Sequence, residues 1–298
     1  MNTKVALLIV YNHRFDGNIP RLNSLYAGHF SHVYHLVPFY DGGLPNVIPV
    51  YGNSYYFQTY VSQAYTHLKN KGFTHFFVVA DDLILNPAIN ERNLWEITGL
   101  AHNECFMPYF TPMNEGGKKW FWLANAIRYR LNQKGLEISQ ILPTREEAYK
   151  AMRSRKLEAE PLRRATFRHL IWTKRHWKEG FWSNLRLVFR KSVELDYPMV
   201  HSYSDIYLIT AEHMERFCTW CGAFAAGGLF VEIATPTALA LTAAPVKNQR
   251  HLKLKGGARW GADIEKLSSL YKRNLHTLLE NFPADTLYLH PIKLSKWM

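Results

Sequence analysis

The chain has 298 residues, of which 47% are hydrophobic and 20% are charged, a composition typical of a globular protein in water. No apolar run reaches the ~20 residues of a membrane-spanning helix, and three cysteines are too few for a disulfide framework. The net charge of +12 indicates a polyanionic partner or an anionic surface. The N-terminal run VALLIV is short for a signal peptide and predicts a first buried strand, so we expect a cytoplasmic protein.

The first 113 residues alternate predicted strands and helices. The strands are apolar runs rich in β-branched and aromatic residues, namely KVALLIV, HVYHLVPF, VIPVY, FTHFFVVA and ECFMPYF. The intervening helices are IPRLNSLYAGHF and FQTYVSQAYTHLKN, and Gly72 is expected to end the second. Near-continuous apolar strands that alternate with helices predict an α/β fold with a mainly parallel central sheet.

Residues 114–195 differ in character from the rest of the chain. They contain 19 Lys and Arg against 8 Asp and Glu, and five of the nine tryptophans. The sequence Thr144-Arg-Glu-Glu147 is a capping box, which predicts a helix that extends towards Glu160 and is broken by Pro161. We interpret this segment as a helical, basic insertion that contacts an acceptor, a polyanion or an anionic membrane surface. A solvated helical face with tryptophans in its core explains the same composition equally well.

The α/β character returns in residues 196–298. The sequence YPMVHSYSDIYLIT predicts a strand with Asp205 near its middle, and AEHMERFCTWCGAF predicts a helix in which Cys218 and Cys221 are small buried side chains. The segment LFVEIATPTALALTAA begins as a helix, which Pro236 is expected to kink or to limit to short pieces. A further helix, DIEKLSSLYKRNLHTLLENF, and a strand, TLYLH, complete the prediction. The predicted domains are therefore 1–113, 114–195 and 196–298.

Two adjacent carboxylates, Asp81 and Asp82, follow the apolar run FFVVA at the predicted end of a central strand. Burial of two neighbouring carboxylates is costly, and ligands of open α/β sheets bind outside the carboxyl ends of the strands. Mg²⁺ or Mn²⁺ would neutralise the pair. The structural alternative, in which one Asp caps a turn and the other is exposed, is equally consistent with the motif. The motifs GxGxxG, GxxxxGK and GxSxG do not occur, which disfavours dinucleotide enzymes, P-loop NTPases and α/β-hydrolases.

The C-terminal sequence YLHPIKLSKWM places His290 three residues before Lys293. Neutral imidazole is a ligand of transition-metal ions, and lysine is a point-charge partner for phosphate. The two side chains could therefore hold a metal ion and its diphosphate together. Taken alone, the segment is better explained as a surface histidine beside a basic tail.

Together, these residues resemble the GT-A-fold glycosyltransferases that use nucleotide sugars in bacterial surface-polysaccharide assembly. The resemblance lies in the fold and motifs of residues 1–110 and 196–298, and residues 114–195 match no known pattern. It implies a Rossmann-like GT-A fold in which Ala80-Asp81-Asp82 takes the place of the DxD motif, with Ala at its first position. Asp82 and His290 would be metal ligands, and Asp81 would assist the metal or the ribose. Lys293 would bind the diphosphate.

The resemblance also implies roles for residues elsewhere in the chain. Glu232, which follows the glycine turn Gly227-Gly228, would be the general base that deprotonates the acceptor hydroxyl in an inverting enzyme or a nucleophile in a retaining one. A glutamate in the first turn of a helix, favoured by the helix dipole, explains this residue nearly as well. Asp205 would face the acceptor or the sugar, unless it is structural. The nucleotide base would lie near the end of the first strand, where Tyr11 would stack on it, Asn12 would hydrogen-bond it and Arg14 would lie close by.

The function implied is transfer of a sugar from a nucleoside diphosphate sugar, with a UDP-sugar favoured, to a glycan or lipid-linked acceptor. Mn²⁺ or Mg²⁺ is the expected cofactor. The basic segment would rest on the inner face of the membrane, so the enzyme would be cytoplasmic and peripheral. One alternative is a nucleotidyltransferase that makes a sugar nucleotide, although YNHRFDGNIPR is a poor version of its glycine-rich loop. The other is a non-catalytic protein that binds a polyanion or a membrane, with nucleic acid not the expected partner.

Overall fold

A computed structural model describes residues 3–113, 121–157, 162–163, 189 and 192–298. The chain divides into two compact units. The first comprises Met1–Pro108, Asp205–Glu215 and Pro245–Met298, and the second comprises Tyr109–Ser204 and Arg216–Ala244. The division differs from the predicted boundaries, because residues 216–244 belong with the central segment and not with the C-terminal half.

The strands are short, and the longest of them are almost wholly apolar. They are β1 (Val5–Val10), β2 (Val33–Pro38), β3 (Val47–Val50), β4 (His75–Ala80), β5 (Ile84–Leu85), β6 (Cys105–Phe106), β7 (Thr111–Pro112), β8 (Leu162–Arg163), β9 (Ser192–Val193), β10 (Val200–His201), β11 (Ile206–Thr210), β12 (Val246–Lys247) and β13 (Tyr288–Leu289).

The α-helices are α1 (Asn18–Tyr26), α2 (Gln58–Leu68), α3 (Leu94–Thr98), α4 (Phe121–Arg128), α5 (Arg145–Ser154), α6 (Ala211–Ala226), α7 (Val231–Leu241), α8 (Ala262–Leu270) and α9 (Leu275–Glu280). Short 3₁₀ helices lie at Ser54–Tyr56, Ile138–Gln140, Gln249–His251 and Leu294–Lys296.

The first unit is built on a sheet with the strand order β12-β6-β11-β4-β1-β2-β3. Among these strands β11 runs antiparallel to β4 and β6, and the other pairings are parallel. Every residue of β1 and β4 is buried, as the near-continuous apolar runs predicted. The expectation of an α/β fold with a mainly parallel central sheet is therefore confirmed.

The predicted strand around Asp205 is two strands. In the second unit β10 pairs with β7, whereas β11 pairs with β4 and β6 in the first unit. Asp205 therefore lies immediately before β11, and the prediction that it lies in the middle of a strand is wrong. Apolar residues on both sides of the break made the two strands look continuous in the sequence.

Pro236 lies inside α7, which is continuous over eleven residues, so the expectation of short pieces is wrong. A proline at this position cannot donate to the carbonyl four residues earlier, which belongs to Glu232. In the second unit the backbone N–H of Ser202 donates to that carbonyl oxygen at 2.9 Å. The carbonyl that proline leaves without a helical partner is thus satisfied from outside the helix.

The predicted capping box of α5 is confirmed. The Thr144 side chain accepts a hydrogen bond from the Glu147 N–H, and the Glu147 carboxylate accepts one from the Thr144 N–H at 2.8 Å. The helix ends at Ser154 and does not continue to Glu160, which lies outside the described residues.

The single long helix predicted near the C-terminus is two helices, α8 and α9. Lys272 and Arg273 have φ values of 53° and 49°, and the Arg273 N–H donates to the Ser268 carbonyl at 2.9 Å, the long-range bond of a Schellman helix end. Asn274 then begins α9, because its side chain accepts from the Thr277 N–H at 2.8 Å.

Much of the basic segment lies outside the described residues, including Trp120, Trp172, Trp177 and Trp182, and the side chain of Trp122 is not described. The prediction of a basic membrane or acceptor surface there stays a prediction. Within the described ranges no helix combines the length and apolar character needed to cross a membrane. Cys218 and Cys221 are buried in α6, as predicted.

Candidate functional site

The carboxyl ends of β1 and β4 form a topological switch point in the sheet of the first unit. From β1 the chain continues outward to β2 and β3, and β4 then pairs with the opposite side of β1. Ligands of open α/β sheets bind in the crevice outside such a point. Asn12 follows β1 and the Asp81-Asp82 pair follows β4, with the Asp81 N–H donating to the Val10 carbonyl at 2.9 Å. The two carboxylates therefore lie where this fold is expected to hold a ligand.

Asp81 is buried, with 5% of its surface exposed. One carboxylate oxygen accepts from the Asn12 backbone N–H and the other from the Asn18 side-chain amide, both at 3.4 Å. Burial and the neighbouring charge of Asp82 raise the pKa of Asp81 to about 7, against the opposing effect of these two hydrogen bonds. Asp81 therefore joins β4 to the end of β1 and to the start of α1.

Asp82 and Asp205 both approach His290. The His290 Nε2 lies 3.1 Å from an Asp82 carboxylate oxygen and 3.5 Å from an Asp205 carboxylate oxygen, and all three side chains are less than a fifth exposed. Burial acts to lower the pKa of His290, but the hydrogen bond and charge of Asp82 and the charges of Asp205 and Asp81 raise it above its ordinary value. The imidazolium form thus offsets the charge of the carboxylates.

The antiparallel direction of β11 brings Asp205 into this cluster. The N-terminal end of β11 lies beside the C-terminal end of β4, and the Ala80 N–H donates to the Asp205 carbonyl at 2.9 Å. Asp205 was predicted as a site residue, but its position beside His290 was not predicted. The carboxylate of Asp81, which was expected to assist the metal or the ribose, is bonded to Asn12 and Asn18, and that role stays a prediction.

His290 is placed by the strand that precedes it. Strand β13 pairs antiparallel with β5, which follows the Asp pair, and the Ile292 N–H donates to the Asp82 carbonyl at 2.6 Å. On the other side, the Arg259 N–H donates to the His290 carbonyl at 2.8 Å. A Cβ atom on Gly257 would lie 1.9 Å from the Tyr288 carbonyl oxygen, so the close approach of this loop requires glycine.

A cavity of about 270 Å³ opens beside the cluster. Its walls combine carboxylates, lysines and polar groups from four parts of the first unit, namely Asn12, His13, Phe15, Asn18, Asp81, Asp82, Lys293, Leu294, Ser295 and Lys296. A lining that combines two carboxylates with two lysines suits a ligand that carries both a cation and phosphate groups. Asn18 and Lys296 were not predicted as site residues. The spacing of Lys296 from Lys293 was a signal for the second.

The side chains of the cluster are of the types that bind a divalent cation, although their positions in the structure do not form a metal site. Among the described residues, no three His, Cys, Asp or Glu side chains surround a common point in the manner of a metal site. Asp82, Asp205 and His290 offer two carboxylate oxygens and one ring nitrogen, which are ligands that Mn²⁺ accepts. Neighbouring ligands of an octahedral ion with bonds of about 2.1 Å lie about 3 Å apart, close to the 3.1 and 3.5 Å found here. The His290 ring nitrogen therefore lies at about ligand-to-ligand spacing from each of the two carboxylates.

Tyr11 does not lie where a base could stack on it. The ring has no exposed surface, and its hydroxyl is 2.9 Å from the His35 Nδ1 in the core. The expectation that Tyr11 stacks on the nucleotide base is therefore wrong. A tyrosine at the end of a strand reaches either the solvent or the core, and the buried His35 is the polar partner that holds it inside.

Two other predicted site residues, Arg14 and Glu232, do not line the cavity. The Arg14 guanidinium binds the carboxylates of Asp16 and Asp41 and the Phe39 carbonyl, and Arg14 does not line the cavity. Glu232 lies in the first turn of α7 in the second unit and is half-buried. Its catalytic role stays a prediction.

Comparison with protein-family models, with curated proteins and with solved structures found no match to this chain.

Proposed function

We propose that this chain is a metal-dependent glycosyltransferase that transfers a sugar from a nucleoside diphosphate sugar, most favourably a UDP-sugar, to a glycan or lipid-linked acceptor. One observation carries the proposal. Asp82, which His290 joins to Asp205 in the cluster, lines a cavity that Lys293 and Lys296 also line, at the switch point of an α/β sheet. This combination suits a cation bound to a diphosphate and a leaving group that becomes more negative during transfer.

In the proposed site, Asp82, Asp205 and His290 would hold Mn²⁺ or Mg²⁺. Such an ion supplies positive charge to the diphosphate as its bond to the sugar breaks. His290 must be neutral to bind a metal ion, so protonation of its ring would compete with metal binding.

The remaining residues of the site would orient the donor. Lys293 would place a fixed positive charge beside the diphosphate and favour its departure. Asp81, bonded to Asn12 and Asn18, would keep the end of β4 in register with the end of β1. Glu232 is the acid we propose to act on the acceptor hydroxyl, in keeping with the resemblance described above.

The direct test is binding and turnover of nucleotide sugars by the purified chain. Isothermal titration with UDP-sugars should show binding that requires Mn²⁺, and radiolabelled donor should give a transferred or hydrolysed sugar together with free nucleoside diphosphate. Asp82→Asn should weaken metal-dependent binding by at least about 100-fold. Loss of a residue that only hydrogen-bonds a metal ligand already costs about 10- to 100-fold in metal affinity, and this change removes a carboxylate ligand itself.

Asp285→Asn is a matched control. Asp285 is an exposed carboxylate that pairs with Lys255, and it does not line the cavity. Unchanged Mn²⁺-dependent binding and turnover in Asp82→Asn would contradict the proposal. Release of pyrophosphate from a nucleoside triphosphate and a sugar phosphate, without turnover of nucleotide sugars, would instead identify a nucleotidyltransferase.

A further inference from the structure

The C-terminal segment presents two lysines to the cavity. Lys293 immediately precedes the 3₁₀ helix Leu294–Lys296. Lys293 and Trp297 flank this turn with extended backbone. Burial separates the lysines from the apolar residues, because Lys293 and Lys296 are exposed while Leu294 is 1% and Trp297 5% exposed. Both lysines line the cavity that Asp81 and Asp82 also line.

Arg21, in α1, holds the backbone of this segment from outside the cavity. Its guanidinium donates to the Leu294 carbonyl through Nη1 and to the Trp297 carbonyl at 2.9 Å through Nη2. These carbonyls are one 3₁₀ turn apart, so one planar group bridges the turn. In the part of the chain that the structure describes, Arg21 forms no ion pair with a carboxylate and does not line the cavity.

Other contacts hold the two ends of the segment, and within its turn the Lys296 N–H donates to the Lys293 carbonyl at 2.8 Å and the Trp297 N–H to the Leu294 carbonyl at 3.2 Å. Before it, the Ile292 N–H donates to the Asp82 carbonyl. After it, the Met298 N–H donates to the Arg273 carbonyl at 2.9 Å, and the Met298 carbonyl accepts from the Leu275 N–H at 2.7 Å. Arg21 adds a side-chain tie from α1 to this turn, through the Leu294 and Trp297 carbonyls.

We propose that Lys296 is a second phosphate-binding cation and that Arg21 is a positioning residue, which fixes the turn so that Lys293 and Lys296 face the carboxylates across the cavity. The inference rests on the proposed function, because it assumes that the cavity takes phosphate groups. Arginine suits this role because its rigid fork reaches two carbonyls at once, which a lysine ammonium on a flexible stem does not do.

The test uses inorganic pyrophosphate with Mn²⁺ as the probe and the full chain as the protein. Arg21→Met and Lys296→Met should each weaken pyrophosphate binding by about tenfold in isothermal titration, the order expected for loss of one charge-assisted contact. Arg21→Lys keeps the charge but cannot bridge the turn, so it should lose affinity nearly as much as Arg21→Met. Arg92→Met, at an exposed arginine outside the cavity, should bind like the wild type.

A double-mutant cycle separates positioning from a general structural role. In a Lys293→Met/Lys296→Met background, Arg21→Met should cause little further loss, because Arg21 acts through the two lysines. An equal further loss in that background, or wild-type affinity in Arg21→Lys, would overturn the positioning role. Wild-type affinity in Lys296→Met would overturn the role of Lys296. If the wild-type chain itself does not bind pyrophosphate with Mn²⁺, the proposed function fails first.

Discussion

Acid should destabilise the first unit through His35, a buried histidine beneath the proposed site. The ring has no exposed surface, its Nδ1 is 2.9 Å from the Tyr11 hydroxyl and its Nε2 is 2.8 Å from the Asn23 side-chain oxygen. That oxygen can only accept, so Nε2 carries the proton of the neutral ring and Nδ1 accepts from Tyr11. His35 thus fixes the residue that follows β1, next to Asn12 of the cavity.

Burial lowers the pKa of His35 from 6.5 to about 4. Between these values the unfolded chain binds a proton that the folded chain does not, so unfolding is favoured as the pH falls. The stabilisation is complete above about pH 6.5 and is lost on the way to about pH 4. A difference of about 2.5 pH units corresponds to about 3 kcal/mol of unfolding free energy.

The ring titration and the stability can be measured separately. In NMR spectra assigned with His35→Gln, the His35 ring should titrate near pH 4 and show the Nε2–H tautomer. Urea unfolding between about pH 7.5 and pH 4.5 should show a loss of stability in the wild type that is about 2–3 kcal/mol larger than in His35→Gln. The exposed His67→Gln variant should behave like the wild type. A His35 ring that titrates near 6.5, or equal acid sensitivity in His35→Gln, would refute the reasoning.

Three further substitutions test other parts of the structure. Gly257→Ala should lower the unfolding free energy by about 1–3 kcal/mol in thermal unfolding and weaken Mn²⁺ binding in a metal titration, because the new Cβ would collide with the Tyr288 carbonyl. In the control Gly43→Ala the new Cβ meets no atom within 4 Å, so both quantities should stay unchanged. Thr144→Ala should lower the unfolding free energy by about 1 kcal/mol through loss of the helix cap, as measured in urea. Glu232→Gln should slow sugar transfer by about 10²- to 10⁴-fold with unchanged donor affinity, and unchanged turnover would remove it from the mechanism.

The strands that were predicted correctly from the sequence are those whose composition shows that they are buried. Strands β1 and β4 are buried on both faces, so each is a continuous apolar run with a visible beginning and end. The order in which strands pair and the direction of each strand could not be predicted in this way, because a short apolar strand has the same composition whichever way it runs. Helix α7 shows a related limit. The carbonyl that Pro236 leaves free is bonded by Ser202, a tertiary contact that no local pattern encodes.

The candidate site was predictable where its residues follow directly from a strand end. Asp81 and Asp82 were located correctly, because a polar pair after a buried strand lies at the carboxyl edge of the sheet. Which of the two carboxylates turns inward could not be predicted, because Asn12 and Asn18 come from other elements. The prediction that Tyr11 faces the ligand was wrong for the same reason, since its hydrogen-bond partner His35 lies on another strand, β2.

The direction of β11 explains why the site has a third acid. Strand β11 lies between β4 and β6 and runs against both, so its first flanking residue, Asp205, lies beside the last residue of β4. A parallel strand in the same position would carry Asp205 to the opposite edge of the sheet. Six residue steps, from beside Ala80 to beside Thr74, at about 3.3 Å each would place it about 20 Å away. Reversal of this one strand thus brings a distant carboxylate to His290, and it gives the cluster a second acid that does not depend on Asp81.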